Sequence, residues 1–188
     1  MPTYVAFLRA INLGNHHKVP MADLRTCLAE AGLRDVETHI QTGNVRVGTS
    51  MRSVAKVEKL LEELLLERYG FEVPTIAFTM AQLRQVYDDA LAAVPPQGNA
   101  TGERRYVHLF KTGDAPTGDV AAAIAAWDRP GEAGLVIGRA VHVWLDGPSQ
   151  QAKLLGAFGK ALARGTNRNL TVIAAVAERW TGDGRVRT

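Results

Sequence analysis

The chain is poor in several features, and each shortage removes a class of protein. Its 188 residues include one cysteine, Cys27, so no internal disulfide can form and a disulfide-stapled secreted scaffold is excluded. No apolar run approaches the ~20 residues needed to cross a bilayer; the longest candidate, Leu64-Leu65-Leu66, lies inside an amphipathic pattern. The N-terminus passes from Met1-Pro2 straight into a strand-like run, without the basic and apolar regions of a signal peptide, so the expected location is cytoplasmic with no membrane partner. Neither a Walker A loop nor a dinucleotide fingerprint occurs. His16-His17 has no cysteine or carboxylate nearby at ligand spacing, so no metal site is expected, and no cofactor is implied. No paired acids and no nucleophile beside a base can be found; there is no catalytic signature, and enzymatic activity stays an open question.

What is present is an ordinary globular composition, 46% hydrophobic, in a chain long enough for one sizeable domain or two small ones. The net charge of +3 is unevenly placed: from Gly147 onward seven basic residues stand against two acidic ones. Such a bias fits an acidic partner through field strength and on-rate, and equally fits solvated helix faces.

Thr3–Leu8 reads as a strand with apolar residues on both faces. Pro20 sits at a helix start, and Leu24, Cys27, Leu28 and Ala31 recur at helical spacing until Gly32 stops it, which makes Cys27 a small core residue. Val36–Gln41 alternates, with Ile40 on the same side as Val36 and Thr38, and Val45–Val47 resumes the period after Thr42-Gly43-Asn44, giving a hairpin. A helix from about Ser53 to Tyr69, ended by Gly70, and a strand over Val73–Phe78 complete β-α-β-β-α-β, the ferredoxin-like order.

After a helix over Ala81–Ala92 and a Pro95-Pro96 loop, the plan partly repeats. The strand Arg105–Phe110, a helix near Val120–Trp127, a hairpin around Gly138-Arg139 and a helix over Gln151–Leu162 give β-α-β-β-α. Where a fourth strand belongs, the polar Arg164–Asn169 reads as a loop before a last helix, about Thr171–Trp180. The expected fold is α+β: two ferredoxin-like split β-α-β subdomains, over 1–79 and 105–180, joined by a helix and linker over 80–104, with a flexible tail over 181–188.

In a right-handed split β-α-β unit the first strand ends beside the turn between the second and third. Arg9, Asn12, Gly14, His16, His17 and Lys18 therefore approach Gln41, Thr42, Gly43 and Asn44, and this edge offers donors in excess, suited to an anion. The same residues could simply close turns and cap a helix. Arg168 and Asn169, before the last helix, form a second anion candidate whose plainer role is capping. A third constellation is aromatic: Tyr106, His108 and Phe110 on one strand and His142 and Trp144 on its neighbour could stack bases, but burial in a core is favoured. The expected function is binding of an anionic ligand, a nucleotide or nucleic acid. Two alternatives stay open: a small enzyme acting on a phosphorylated metabolite with His16 or His17 as base, and a self-associating structural module.

Leu8-Arg9-Ala10-Ile11-Asn12-Leu13-Gly14, Lys18-Val19-Pro20-Met21, Ile40-Gln41-Thr42-Gly43-Asn44-Val45 and Thr166-Asn167-Arg168-Asn169 resemble, in order and spacing, the motifs of the bacterial proteins called domain of unknown function 1697. The resemblance implies two related α+β subdomains and a cytoplasmic protein, and no established activity. It also marks departures: the family usually has glycine in place of Ala10 and near Asn15, serine in place of Thr42, tryptophan in place of Leu170, and Ser-Lys-Leu where this chain has Ala152-Lys153-Leu154.

Overall fold

The structure, a computed structural model, describes residues 1–182. The chain divides into two compact units, Met1–Arg84 with the residues from Val176 onward, and Gln85–Ala175. The division falls inside two helices rather than in the proline-containing loop. Of the expected tail, 183–188 lie outside the described residues, and Thr181 ends a helix.

In the first unit, β1 (Thr3–Leu8), α1 (Met21–Glu30), β2 (Arg34–His39), β3 (Asn44–Gly48), α2 (Val54–Tyr69) and β4 (Thr75–Thr79) form an antiparallel sheet in the order β2-β3-β1-β4. Tyr4, Ala6 and Leu8 of β1 and Val45 and Val47 of β3 face the helices and pack with Leu24 and Leu28 of α1 and Val57, Leu61 and Leu65 of α2. Full burial of each such aliphatic side chain stabilises by about 1.5–3 kcal/mol. The boundaries follow local chemistry: Ser53 Oγ accepts from Lys56 N at 3.4 Å at the start of α2, and Gly70 adopts the left-handed conformation, φ 74°, that ends it. Cys27 is buried, as its spacing implies, and burial pushes its thiol pKa up.

Two features of this unit escape pattern reading. Glu58 and Glu62 accept from the outward N–H groups of Ala77 (2.9 Å) and Thr75 (2.8 Å), so helix carboxylates cover the edge strand β4, and Glu58 occupies the apolar stripe. The last turns of α7 (Leu170–Thr181) also belong here: Glu37 of β2 accepts from Arg46 (2.6 Å), Arg179 (2.9 Å) and Trp180 Nε1 (3.1 Å).

The second unit repeats the plan. After α3 (Met80–Ala92) come β5 (Arg104–Leu109), α4 (Gly118–Ala125), β6 (Glu132–Ile137), β7 (Ala140–Leu145), α5 (Lys153–Ala157), α6 (Gly159–Leu162) and β8 (Thr166–Asn169), with sheet order β6-β7-β5-β8. The loop expected over Arg164–Asn169 is thus corrected to the missing fourth strand. Its alternation is real, Thr166 and Arg168 buried and Asn167 and Asn169 exposed, but polar residues occupy both faces and hide it. The single helix expected over Gln151–Leu162 is broken into a short 3-10 turn and two α segments. Ala152 offers no capping oxygen at α5; the Glu132 carboxylate from β6 accepts from Lys153 N (2.9 Å) and Leu154 N (2.7 Å) instead.

Candidate functional site

The expected meeting of the two loops takes place at the end of β1. Leu8 N donates to the Gly43 carbonyl at 2.8 Å, and Arg9 N donates to Pro74 O at 2.9 Å. Asn12 is the hub: its Nδ2 donates to Val19 O (3.0 Å) and Gln41 O (2.8 Å), and its Oδ1 accepts from Val19 N (2.9 Å). Asn44, fully buried, closes the hairpin by donating from Nδ2 to His39 O (2.9 Å) and Thr42 Oγ1 (3.1 Å). Asn12 and Asn44 therefore build the site rather than offer their amides to a ligand. Gly43 lets the loops touch: a Cβ there would lie 2.7 Å from Leu8 Cβ.

The charged groups of this rim are Arg9 and Lys18. Segments 9–20 and 39–44 contain no aspartate or glutamate. The half-buried Arg9 guanidinium has no partner among the described residues, nor does the exposed His16 ring. Lys18 Nζ donates to Gly14 O, which engages one of its three N–H bonds. His17 Nδ1 lies 3.3 Å from Ala10 O and, since a carbonyl only accepts, carries the proton. Asn12, Lys18, Val19, Pro20 and Gln41 line an open hollow of ≈ 370 Å³.

Backbone strain concentrates in these loops. Of six non-glycine residues with positive φ among the described residues, four lie here: Ala10 (56°), Asn12 (55°), His17 (49°) and Ile40 (50°). Ile40, expected within the strand on the same side as Val36 and Thr38, is corrected to an exposed turn residue, because β2 ends at His39 and the chain turns left-handed immediately after. Sequence reasoning also missed Phe71, whose ring stacks on His17 with centroids 4.4 Å apart. It sits between a helix stop and a strand and carries no periodic signal.

The profile of the proteins of unknown function DUF1697 matches residues 1–142, well over half of the chain and all of these loops. The chain belongs to the DUF1697 family. Among solved structures it is similar to the conserved bacterial protein SP0830 from Streptococcus pneumoniae, at 22% identity and a TM-score of 0.70 over 95% of this chain and 98% of that one. At that identity the likeness speaks for the fold alone. No curated protein matches the chain.

The backbone at Ala10 is left-handed, φ 56°, a conformation that favours glycine. Ala10→Gly is expected to stabilise the protein by about 0.5–1 kcal/mol, the ~1–2 kcal/mol strain of a non-glycine residue less the greater freedom of glycine when unfolded. A thermal melt should rise by about 2–3 °C.

Arg168 and Asn169 belong to the second unit. Arg168 is buried on β8, where its Nη1 donates to Thr166 Oγ1 (2.9 Å) and Asn167 O (2.7 Å), and burial lowers its pKa to about 10. Asn169 is exposed and lies directly before α7. The proposed aromatic stripe is corrected as well. The register pairs Val107 with His142 and Arg105 with Trp144, so His142 and Trp144 lie on the face opposite Tyr106, His108 and Phe110. All except the half-buried Tyr106 are buried, and Arg105 covers the Trp144 ring at 5.1 Å. A base-stacking platform on this sheet is ruled out by that burial.

Proposed function

We propose that the rim formed by 9–18 and 41–44 binds the phosphate groups of an anionic ligand, a nucleotide or nucleic acid, with Arg9 and Lys18 as its charged contacts. The observation that carries the reading is the imbalance: Arg9 and Lys18 stand at two joined loops that hold no carboxylate, and the Arg9 guanidinium has no partner among the described residues. Strain at four positions of the same loops supports it, since such conformations persist where the surrounding structure over-determines them and cluster at functional sites. The compartment is taken to be the cytoplasm; the unpaired, buried Cys27 suits it, and among the described residues no helix is long and apolar enough to cross a membrane.

Calorimetric titration with inorganic tripolyphosphate tests this. Binding should weaken as salt rises, and Lys18→Ala and Arg9→Ala should each weaken it by about fivefold, the ~1 kcal/mol of a solvent-exposed ionic contact. Binding by both variants as tight as by the wild type, or affinity that ignores salt, would overturn the reading.

A further inference from the structure

We propose that the ligand of this rim is a single-stranded nucleic acid, one base of which stacks on the outward face of His17 while adjoining phosphates meet Lys18 and Arg9; this rests on the phosphate-binding reading above. The His17 ring lies nearly parallel to Phe71, at an interplanar angle of 20°, and Phe71 in turn lies 6.1 Å from Tyr69. Phe71 is half-buried and His17 is exposed, so one face of the imidazole is backed by aromatic carbon while the other stays open. The ring is held in advance: Asn12 N donates to His17 O at 2.9 Å and His17 Nδ1 donates to Ala10 O. A prepositioned ring loses little freedom on binding.

The charges belong to the same patch. Lys18 follows His17 in the chain, and Arg9 is anchored to Pro74, three residues beyond Phe71. An aromatic face beside cations is the general means by which proteins hold unpaired nucleotides, since every base has a π face and every linkage a phosphate. A lone mononucleotide fits less well, because small-ligand sites enclose most of their ligand and this hollow is open. A duplex fits less well too, because its base faces are hidden in the helical stack. Leu13 and Ile40, 65% and 47% exposed at the two loop tips, place apolar surface where unstacked bases can cover it.

Fluorescence anisotropy with a labelled 12-residue oligo-dT and oligo-U, and with a hairpin duplex of equal charge, tests the proposal. His17→Asn is the informative variant: asparagine tolerates the left-handed backbone and keeps a donor for Ala10 O, but has no ring. The strand should bind at least tenfold more tightly than the duplex, and His17→Asn should weaken strand binding about tenfold, a larger factor than it weakens tripolyphosphate. Lys18→Ala should weaken strand and tripolyphosphate together. Strand binding unchanged in folded His17→Asn, or duplex binding as tight as strand, overturns the stacking proposal. If Lys18→Ala still weakens tripolyphosphate in that event, phosphate binding stands alone; if it does not, both fall.

Discussion

Acidifying the protein from pH 7 to pH 4 is expected to remove roughly 3 kcal/mol of stability for each of two histidines in the second unit. His108 and His142 are 8% and 1% exposed, and both nitrogens of His142 and Nε2 of His108 are buried without a hydrogen-bond partner among the described residues. Burial pushes the pKa of His108 down to about 4. Burial does the same to His142, also to about 4, aided by the positive field of Arg105 and opposed by Asp89. In the unfolded chain each takes up its proton near pH 6.5, so above that value both states are neutral and nothing is lost. Between about 6.5 and about 4 only the unfolded chain is protonated, and stability falls by ~1.4 kcal/mol per pH unit per histidine.

Urea unfolding followed across this window checks the expectation. His108→Leu and His142→Leu should each remove about half of the slope. Neither should cost much at pH 7, because deleting an unpaired buried polar group can be neutral or favourable. Carboxylates act lower. Burial raises the Glu37 pKa, but hydrogen bonds from Trp180 and Arg179 and the charge of Arg46 outweigh it and leave the pKa below the ordinary range. The stability Glu37 contributes is therefore present above its unfolded pKa, near 4.5, and lost as pH falls from there through its depressed folded value, so it touches only the acid end of the histidine window. An acid slope from pH 6.5 to 4 that survives in the double variant would refute the assignment.

Gly43→Ala is expected to destabilise the first unit by about 2–4 kcal/mol and to open the candidate site. Two costs combine: φ at Gly43 is 76°, where a side chain is strained by ~1 kcal/mol or more, and the new Cβ would lie 2.7 Å from both Leu8 Cβ and Ile11 Cδ1. The Ile11 methyl can rotate away. Leu8 Cβ is fixed to β1, so the strand end or the turn must shift, an overpacking cost of about 1–3 kcal/mol. That shift strikes the Leu8 N to Gly43 O bond that joins the two loops. Gly14→Ala is the control, because φ there is 54° but no atom lies within 4 Å of the added carbon. It should cost only the strain, about 1 kcal/mol. Melting temperatures lowered equally by both substitutions would show that the contact with Leu8 is not tight.

Much of the first unit could be read locally. Gly32 and Gly70 ending helices, Ser53 starting one, and the alternation around Thr42-Gly43-Asn44 each depend on neighbours within about one turn of chain. From that order the juxtaposition of Arg9–Lys18 with Gln41–Asn44 followed, since a split β-α-β unit permits few arrangements. The strand Thr166–Asn169 was hidden because a buried arginine and two asparagines mask its period. Ile40 was misplaced because β2 ends at His39, two residues before the expected Gln41, which puts Ile40 in a left-handed turn.

The order of elements, their approximate ends and the pairing of the two loops were thus already contained in the linear chain, because periodicity, caps and turns act over a few residues. Which donors remain for a ligand was decided only in three dimensions. Asn12 and Asn44 are consumed by backbone carbonyls, the Arg9 guanidinium has no partner among the described residues, and His17 meets Phe71 across 54 residues of sequence, a contact that depends on strand register and on where α2 releases the chain. The same register separates Tyr106 from Trp144. Residues that alternate correctly on each strand share a face only when the pairing between strands puts them there.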